Sequence, residues 1–173
     1  MKILYAPWRS EYASDTGVKK KENISSDKCL FCKLLHDDND KKNFIIKRFK
    51  NTFVMLNRYP YNAGHILVLP NAHASTLDSL SKKERSELME VINKGIGILS
   101  LTLKTEGLNL GLNLGKAAGA GMPSHLHMHL LPRWQGDTNF IATIGMTKVI
   151  SFDLKKIYKQ LKAEFDTLPS KNF

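Results

Sequence analysis

Apolar residues along the chain fall into several short runs and one long helical period. NFIIKRF (43–49) and TFVMLN (52–57) are dense in β-branched and aromatic residues, with only Lys50 and Asn51 between them. They read as two strands joined by a tight connection. RYPYNAG (58–64) reads as a turn, because Pro60 fixes φ and Gly64 relaxes it. HILVLP (65–70) is a continuous apolar run, the pattern of a buried strand. Leu88, Val91, Ile92, Ile96 and Leu99 recur at helical spacing behind Ser81-Lys82-Lys83-Glu84. That tetrad is a capping box, in which hydroxyl and carboxylate each satisfy an orphan backbone donor. A long helix is therefore predicted over 82–104, weakened locally by Gly95 and Gly97, with Gly107 as its C-terminal stop. GLNLGLNLG (107–115) alternates like a strand, and KAAGAGMPS (116–124) is a loop of small residues. After the strand-like SHLHMHLLPRW (124–134) comes an irregular segment to about Ile150. Leu154, Ile157, Tyr158 and Leu161 then mark a last helix that ends before Pro169, within a C-terminal helix and tail at 151–173.

The 173 residues suit a single domain, 1–173, with no internal boundary. Residues 15–28 are polar and charged and read as an arm or loop. No apolar run approaches the ~18–20 residues of a membrane span. MKILYAPWRSEYAS has no apolar core before a small-residue cleavage site, so no signal peptide is expected and a cytoplasmic setting follows by default. The formal charge of +10 attracts polyanions, whether nucleic acid, acidic lipid or nucleotide polyphosphate. The basic residues are scattered rather than gathered with aromatics, which argues against nucleic acid.

Three of the six histidines, His125, His127 and His129, stand at alternate positions. On a strand they would share one face, with Leu126, Met128 and Leu130 turned to the core. Such a row admits a polar surface, a metal site, or a nucleophilic imidazole with neighbours that orient it and handle protons. The preceding GLNLGKAAGAG brings small residues that let backbone N–H groups approach a ligand, as a phosphate cradle would. It is neither a Walker loop nor a dinucleotide fingerprint. The only cysteines, Cys29 and Cys32, form one CxxC, which suits a metal or redox site better than a disulfide framework.

HLHMHLL, with GLNLG before it and PRW after it, resembles the histidine-triad (HIT) superfamily of nucleotide hydrolases and transferases. LYAPWRSEY, CLFCKL, LNRYPYNAGHILVLPNAH and PRWQGDTNF occur in the matching order. PRWQGDTNF together with APWR and YPYN is similar to the branch that holds diadenosine tetraphosphate phosphorylases, the ATP adenylyltransferase-like proteins. The resemblance implies an α+β HIT-like fold: an antiparallel sheet of about five strands, the long helix packed on it, a C-terminal helix, and a homodimer. It implies a catalytic set of His125, His127 and His129, with His127 as the nucleophile that carries a nucleotidyl group. It places Asn113 and the backbone of Gly119, Ala120 and Gly121 at phosphate, Asn57 at ribose, Leu30, Phe31 and Leu34 at the base, and Asn139 toward phosphate. His65 takes a structural role. Cys29, Cys32, His73 and His125 are implied as a closed, structural zinc site. The implied substrate is a dinucleoside polyphosphate, with phosphorolysis favoured over hydrolysis. A phosphoramidate hydrolase or a non-enzymatic nucleotide sensor are the alternatives. One departure stands out. Many members carry a glutamine in the phosphate loop and a hydroxyl shortly before the triad. Here Gly121 and Met122-Pro123 take those places, and Ser124 is the nearest hydroxyl.

Overall fold

The computed structural model describes residues 25–139, 144 and 152–170. The arm expected over 15–28 lies outside the described residues as far as 24, and its end, Ser26–Lys28, is a 3₁₀ turn. The LYAPWRSEY stretch and most of the irregular segment before Ile150 also lie outside them.

Five strands form one antiparallel sheet: β1 (Ile45–Arg48), β2 (Thr52–Leu56), β3 (Ile66–Pro70), β4 (Gly107–Leu112) and β5 (Met128–Arg133), in the order β1-β2-β3-β5-β4. The α-helices given in full among the described residues are α1 (Leu30–His36), the single turn α2 (Asp40–Asn43), α3 (Lys82–Leu103) and α4 (Leu154–Asp166). The sheet, long helix and C-terminal helix are those expected.

Both faces of the central strands are covered, which explains why β2 and β3 read as unbroken apolar runs. Val54, Leu56, Ile66, Val68 and Leu130 join Leu88, Val91, Ile92 and Leu99 of α3 and Leu161 and Phe165 of α4 in one core. The alternate residues Phe53, Met55, Leu67 and Leu69 form a second cluster with Cys29, Phe31 and Cys32 around α1. The strand period of two sorts neighbouring side chains between these layers.

The capping box forms as expected: Ser81 Oγ accepts from Glu84 N, and the Glu84 carboxylate accepts from Ser81 N. The expected stop at Gly107 is corrected. α3 ends at Leu103, Lys104 takes the left-handed conformation at φ 51°, and Gly107 opens β4 opposite Arg133. Three residues suffice to turn the chain, and the reversal falls on a lysine rather than the glycine. Gly95 has a packing reason to be small: a Cβ there would lie 3.2 Å from Leu130 Cδ2 and 3.6 Å from Ile66 and Phe165. It lets α3 sit close on the sheet, whereas Gly97 faces open space.

Candidate active site

The triad does not lie on one regular strand. β5 starts at Met128, so only His129 is within the sheet, opposite Leu67. His125 and His127 sit in the approach to it, where Leu126 N donates to Ala74 O rather than to a neighbouring strand (2.6 Å). Leu126 and Leu130 are buried in the α3/α4 core, as the alternation predicted. The three rings divide between two sites.

His125 is fully buried and belongs to the first. Its Nε2–H donates to Pro70 O (3.0 Å), which leaves the Nδ1 lone pair facing Cys29 Sγ and Cys32 Sγ, both at 3.5 Å. His73 Nδ1 lies 3.3 Å from Cys32 Sγ. The four donor atoms all lie within 4.8 Å of one another, a set that can hold a metal ion. Two sulfurs and two imidazole nitrogens with no further position open are the ligands of a structural tetrahedral site. The Pro70 carbonyl is the kind of outer partner that fixes the tautomer of a metal-bound histidine. Burial, then the neighbouring Cys29, pushes the Cys32 thiol up to about 11, and burial holds His125 down at about 4. Both shifts disfavour charge at this spot in the absence of a cation, and a bound dication would hold the sulfurs as thiolates. His125 therefore leaves the catalytic set expected from the sequence, and its part in the second site is made by its backbone.

That part is a hydrogen bond. His127 Nδ1–H donates to the His125 carbonyl at 2.8 Å. The ring's lone pair then resides on Nε2, the condition for a nucleophilic imidazole. Phe31, set between the two cysteines, packs on His127 with ring centroids 5.3 Å apart and on His125 at 5.6 Å.

The tautomer of His129 follows from a backbone group. Tyr61 N–H donates to His65 Nδ1 (3.2 Å), and Asn57 Nδ2 lies at the same distance from it. A backbone N–H can only donate, so His65 carries its hydrogen on Nε2. That Nε2–H donates to His129 Nδ1 at 2.9 Å. His129 thus presents an Nε2–H, which is buried and has no partner among the described residues. Burial first, then repulsion from His127, holds His129 at about 4, so it is neutral at pH 7 and acts as a hydrogen-bond donor. His65, expected to be structural, is fully buried and also sets the proton position of a cavity histidine.

His127 and His129 line a cavity of about 380 Å³. Its apolar wall is Leu30, Phe31, Leu34, Met55 and Leu67, and its polar side includes Asn57, Asn113, Gly119 and Gly121. The base, ribose and phosphate residues expected from the sequence are thereby brought together, with three corrections. Ala120 is buried outside the lining, and its N–H donates to Gly115 O (3.2 Å). The Gly119 N–H likewise turns inward to Lys116 O (3.0 Å), so of the three loop amides only that of Gly121 makes no bond among the described residues. Asn139 is exposed and outside the lining. Ser124 is buried but does not reach the cavity, so it does not replace the missing hydroxyl. The sequence reading assigned no role to Tyr61. Its ring stacks on His129 at 6.0 Å and 21°, and its position one residue after Pro60 in YPYN was the available signal.

Residues 38–136 match the family described as HIT domain. The chain belongs to the HIT family. It stands with it among nucleotide-processing enzymes. The chain is 36% identical over 166 residues to the AP-4-A phosphorylase of Mycobacterium tuberculosis, covering 96% of this chain and 85% of that protein. It is 24% identical to the adenosine 5'-monophosphoramidase HNT1 of Saccharomyces cerevisiae, covering 80% of this HIT chain and 83% of the yeast protein. In fold it is similar to a Zn-bound histidine triad family protein from Mycobacterium smegmatis, with a TM-score of 0.67 at 24% identity over 83% of this chain and 96% of that one.

Proposed function

We propose that the protein cleaves dinucleoside polyphosphates of the diadenosine tetraphosphate kind by transferring a nucleotidyl group through His127, with inorganic phosphate preferred over water as acceptor. The observation that carries this reading is the 2.8 Å bond from His127 Nδ1–H to the His125 carbonyl, which leaves Nε2 as the basic nitrogen of a cavity residue. The 36% identity to a protein named AP-4-A phosphorylase supports the substrate class and the acceptor.

In the first step His127 Nε2 bonds to the α-phosphorus, and the bridging P–O bond breaks to release ATP. In the second, a phosphate oxygen bonds to that phosphorus, the P–N bond breaks, and ADP leaves. Splitting one displacement into two avoids a single crowded transition state. His129 Nε2–H, the Asn113 amide and the Gly121 N–H stabilise charge on the phosphoryl oxygens. Asn57 meets the ribose, and the base lies along Leu30, Phe31 and Leu34.

We further infer that zinc fills the Cys29, Cys32, His73, His125 set. The donor set supports this, since paired thiolates and imidazoles suit zinc. When bound, zinc supplies a crosslink and not a reactive centre. It would tie α1 to the residue whose carbonyl orients His127. The protein is read as one domain over 1–173, cytoplasmic and homodimeric. Among the described residues no helix is long and apolar enough to cross a membrane.

Product analysis tests the reaction. Diadenosine tetraphosphate should give ADP plus ATP with phosphate present. AMP plus ATP under the same conditions means that water is the acceptor, and two ADP means that a different bond is cut. The yeast relative named a phosphoramidase favours a second reading, hydrolysis of adenosine phosphoramidates, and faster turnover of that substrate would establish it.

A further inference from the structure

The cavity accounts for half of a two-nucleoside substrate. About 380 Å³ is near the lower end of the ~300–1,000 Å³ of small-molecule sites, enough for one nucleotide and not for two. The other half must lie at the rim. Arg58 and Tyr59 are exposed residues of the cavity lining, two and one positions before the Pro60 that leads into Tyr61.

Tyr59 is 80% exposed, so burial does not explain its ring. Its backbone is nonetheless held. Tyr59 N–H donates to Asn57 Oδ1 at 3.0 Å, and the following Pro60 restricts residue 59 to extended conformations. Two residues on, Tyr61 stacks on His129, which anchors the turn to the phosphate end of the cavity. Arg58 is exposed and makes no ion pair among the described residues. Its planar fork of donors matches phosphate oxygens.

Resting on the function proposed above, we propose that Tyr59 and Arg58 seat the departing nucleotide. The Tyr59 ring stacks on the second base, and the Arg58 guanidinium meets the distal phosphates. Stacking tolerates any base, so this seat selects for a second nucleoside without selecting which one.

The test compares KM for diadenosine tetraphosphate with the inhibition constant of AMP, which occupies the cavity alone. In Tyr59→Ala the ratio of KM to that constant should rise about tenfold, the size expected for losing one base stack. Tyr59→Trp should restore it to within about twofold, and Arg58→Gln should raise it in the same direction. Melting curves identify any variant that fails to fold, and the tryptophan variant then decides alone, by holding or raising affinity for the two-base substrate. An unchanged ratio in Tyr59→Ala, or a ratio that tryptophan does not restore, overturns the seat and leaves the catalytic reading intact. Failure of the wild-type protein to cleave diadenosine tetraphosphate at all removes the proposed function, and the seat with it.

Discussion

The site's chemistry is a matter of which ring nitrogen carries a hydrogen. The His125 carbonyl settles it for His127, and the Tyr61 N–H settles it for His129 through His65. His127→Ala should lower turnover about 10,000-fold or more, measured by product formation, while the melting temperature stays within a few degrees. His65→Phe keeps a buried ring and removes the Nε2–H. It should lower kcat roughly 100-fold with little change in KM, since the base and ribose contacts stand. pH acts at this scale too. The folded protein holds His129 at about 4, against 6.5 for the free side chain, so the unfolded chain takes up the proton first as pH falls. The stability contributed by neutral His129 is complete above about pH 6.5 and is lost between there and about pH 4. Thermal melts at matched metal loading should show that fall, and His129→Asn should make it shallower.

Elements of the fold are set by a few local decisions. The Ser81/Glu84 box starts α3, and Ser81→Ala should cost about 1 kcal/mol in a denaturant titration. Gly64 lets the RYPYNAG turn reach β3. At φ 71° it is in the left-handed region, and a Cβ there would collide with Leu103 Cδ1 and lie 3.3 Å from Pro132 Cγ. Gly64→Ala should therefore destabilise by about 1–3 kcal/mol. The flexible end of Leu103 can move aside, so the backbone conformation sets most of that cost. Because the same turn carries Tyr61 and leads into His65, the variant should also lower kcat, a coupling that a core substitution such as Val91→Ala would lack.

At the scale of the whole molecule, the metal cluster joins what the chain keeps far apart. Cys29 and His125 are 96 residues apart in sequence. A metal bound there would secure α1, hence the Leu30 and Phe31 wall, and the approach to β5, hence His127. Removal of metal with a strong chelator should lower the melting temperature by about 6–12 °C, as a loss of about 3 kcal/mol would in a chain of this size. It should also raise KM and lower kcat together, since wall and nucleophile are released at once. Cys29→Ser should do the same without a chelator, with metal content read by elemental analysis.

The strands, the long helix, its cap and the two-residue period of the histidines could be read from the chain alone, because they follow from interactions between residues a few positions apart. The triad and the CxxC were legible as motifs for the same reason, whereas His73 of PNAH joined the metal set only as what the resemblance implies. Their division of labour was only partly legible: the family resemblance set His125 with Cys29, Cys32 and His73 but also kept it in the catalytic set. Tertiary structure decided between the two, because the His125 ring lies between the Pro70 carbonyl and the cysteine sulfurs, away from the cavity that His127 and His129 line. It alone drew His65 and Tyr61 into the proton arrangement, turned the Gly119 and Ala120 amides inward, and left Asn139 at the surface. The placing of His125 and the His65–His129 bond rest on contacts between distant segments, whose geometry exists only once the sheet has closed over both its faces; the loop amides turn on short-range bonds that residue types alone do not specify.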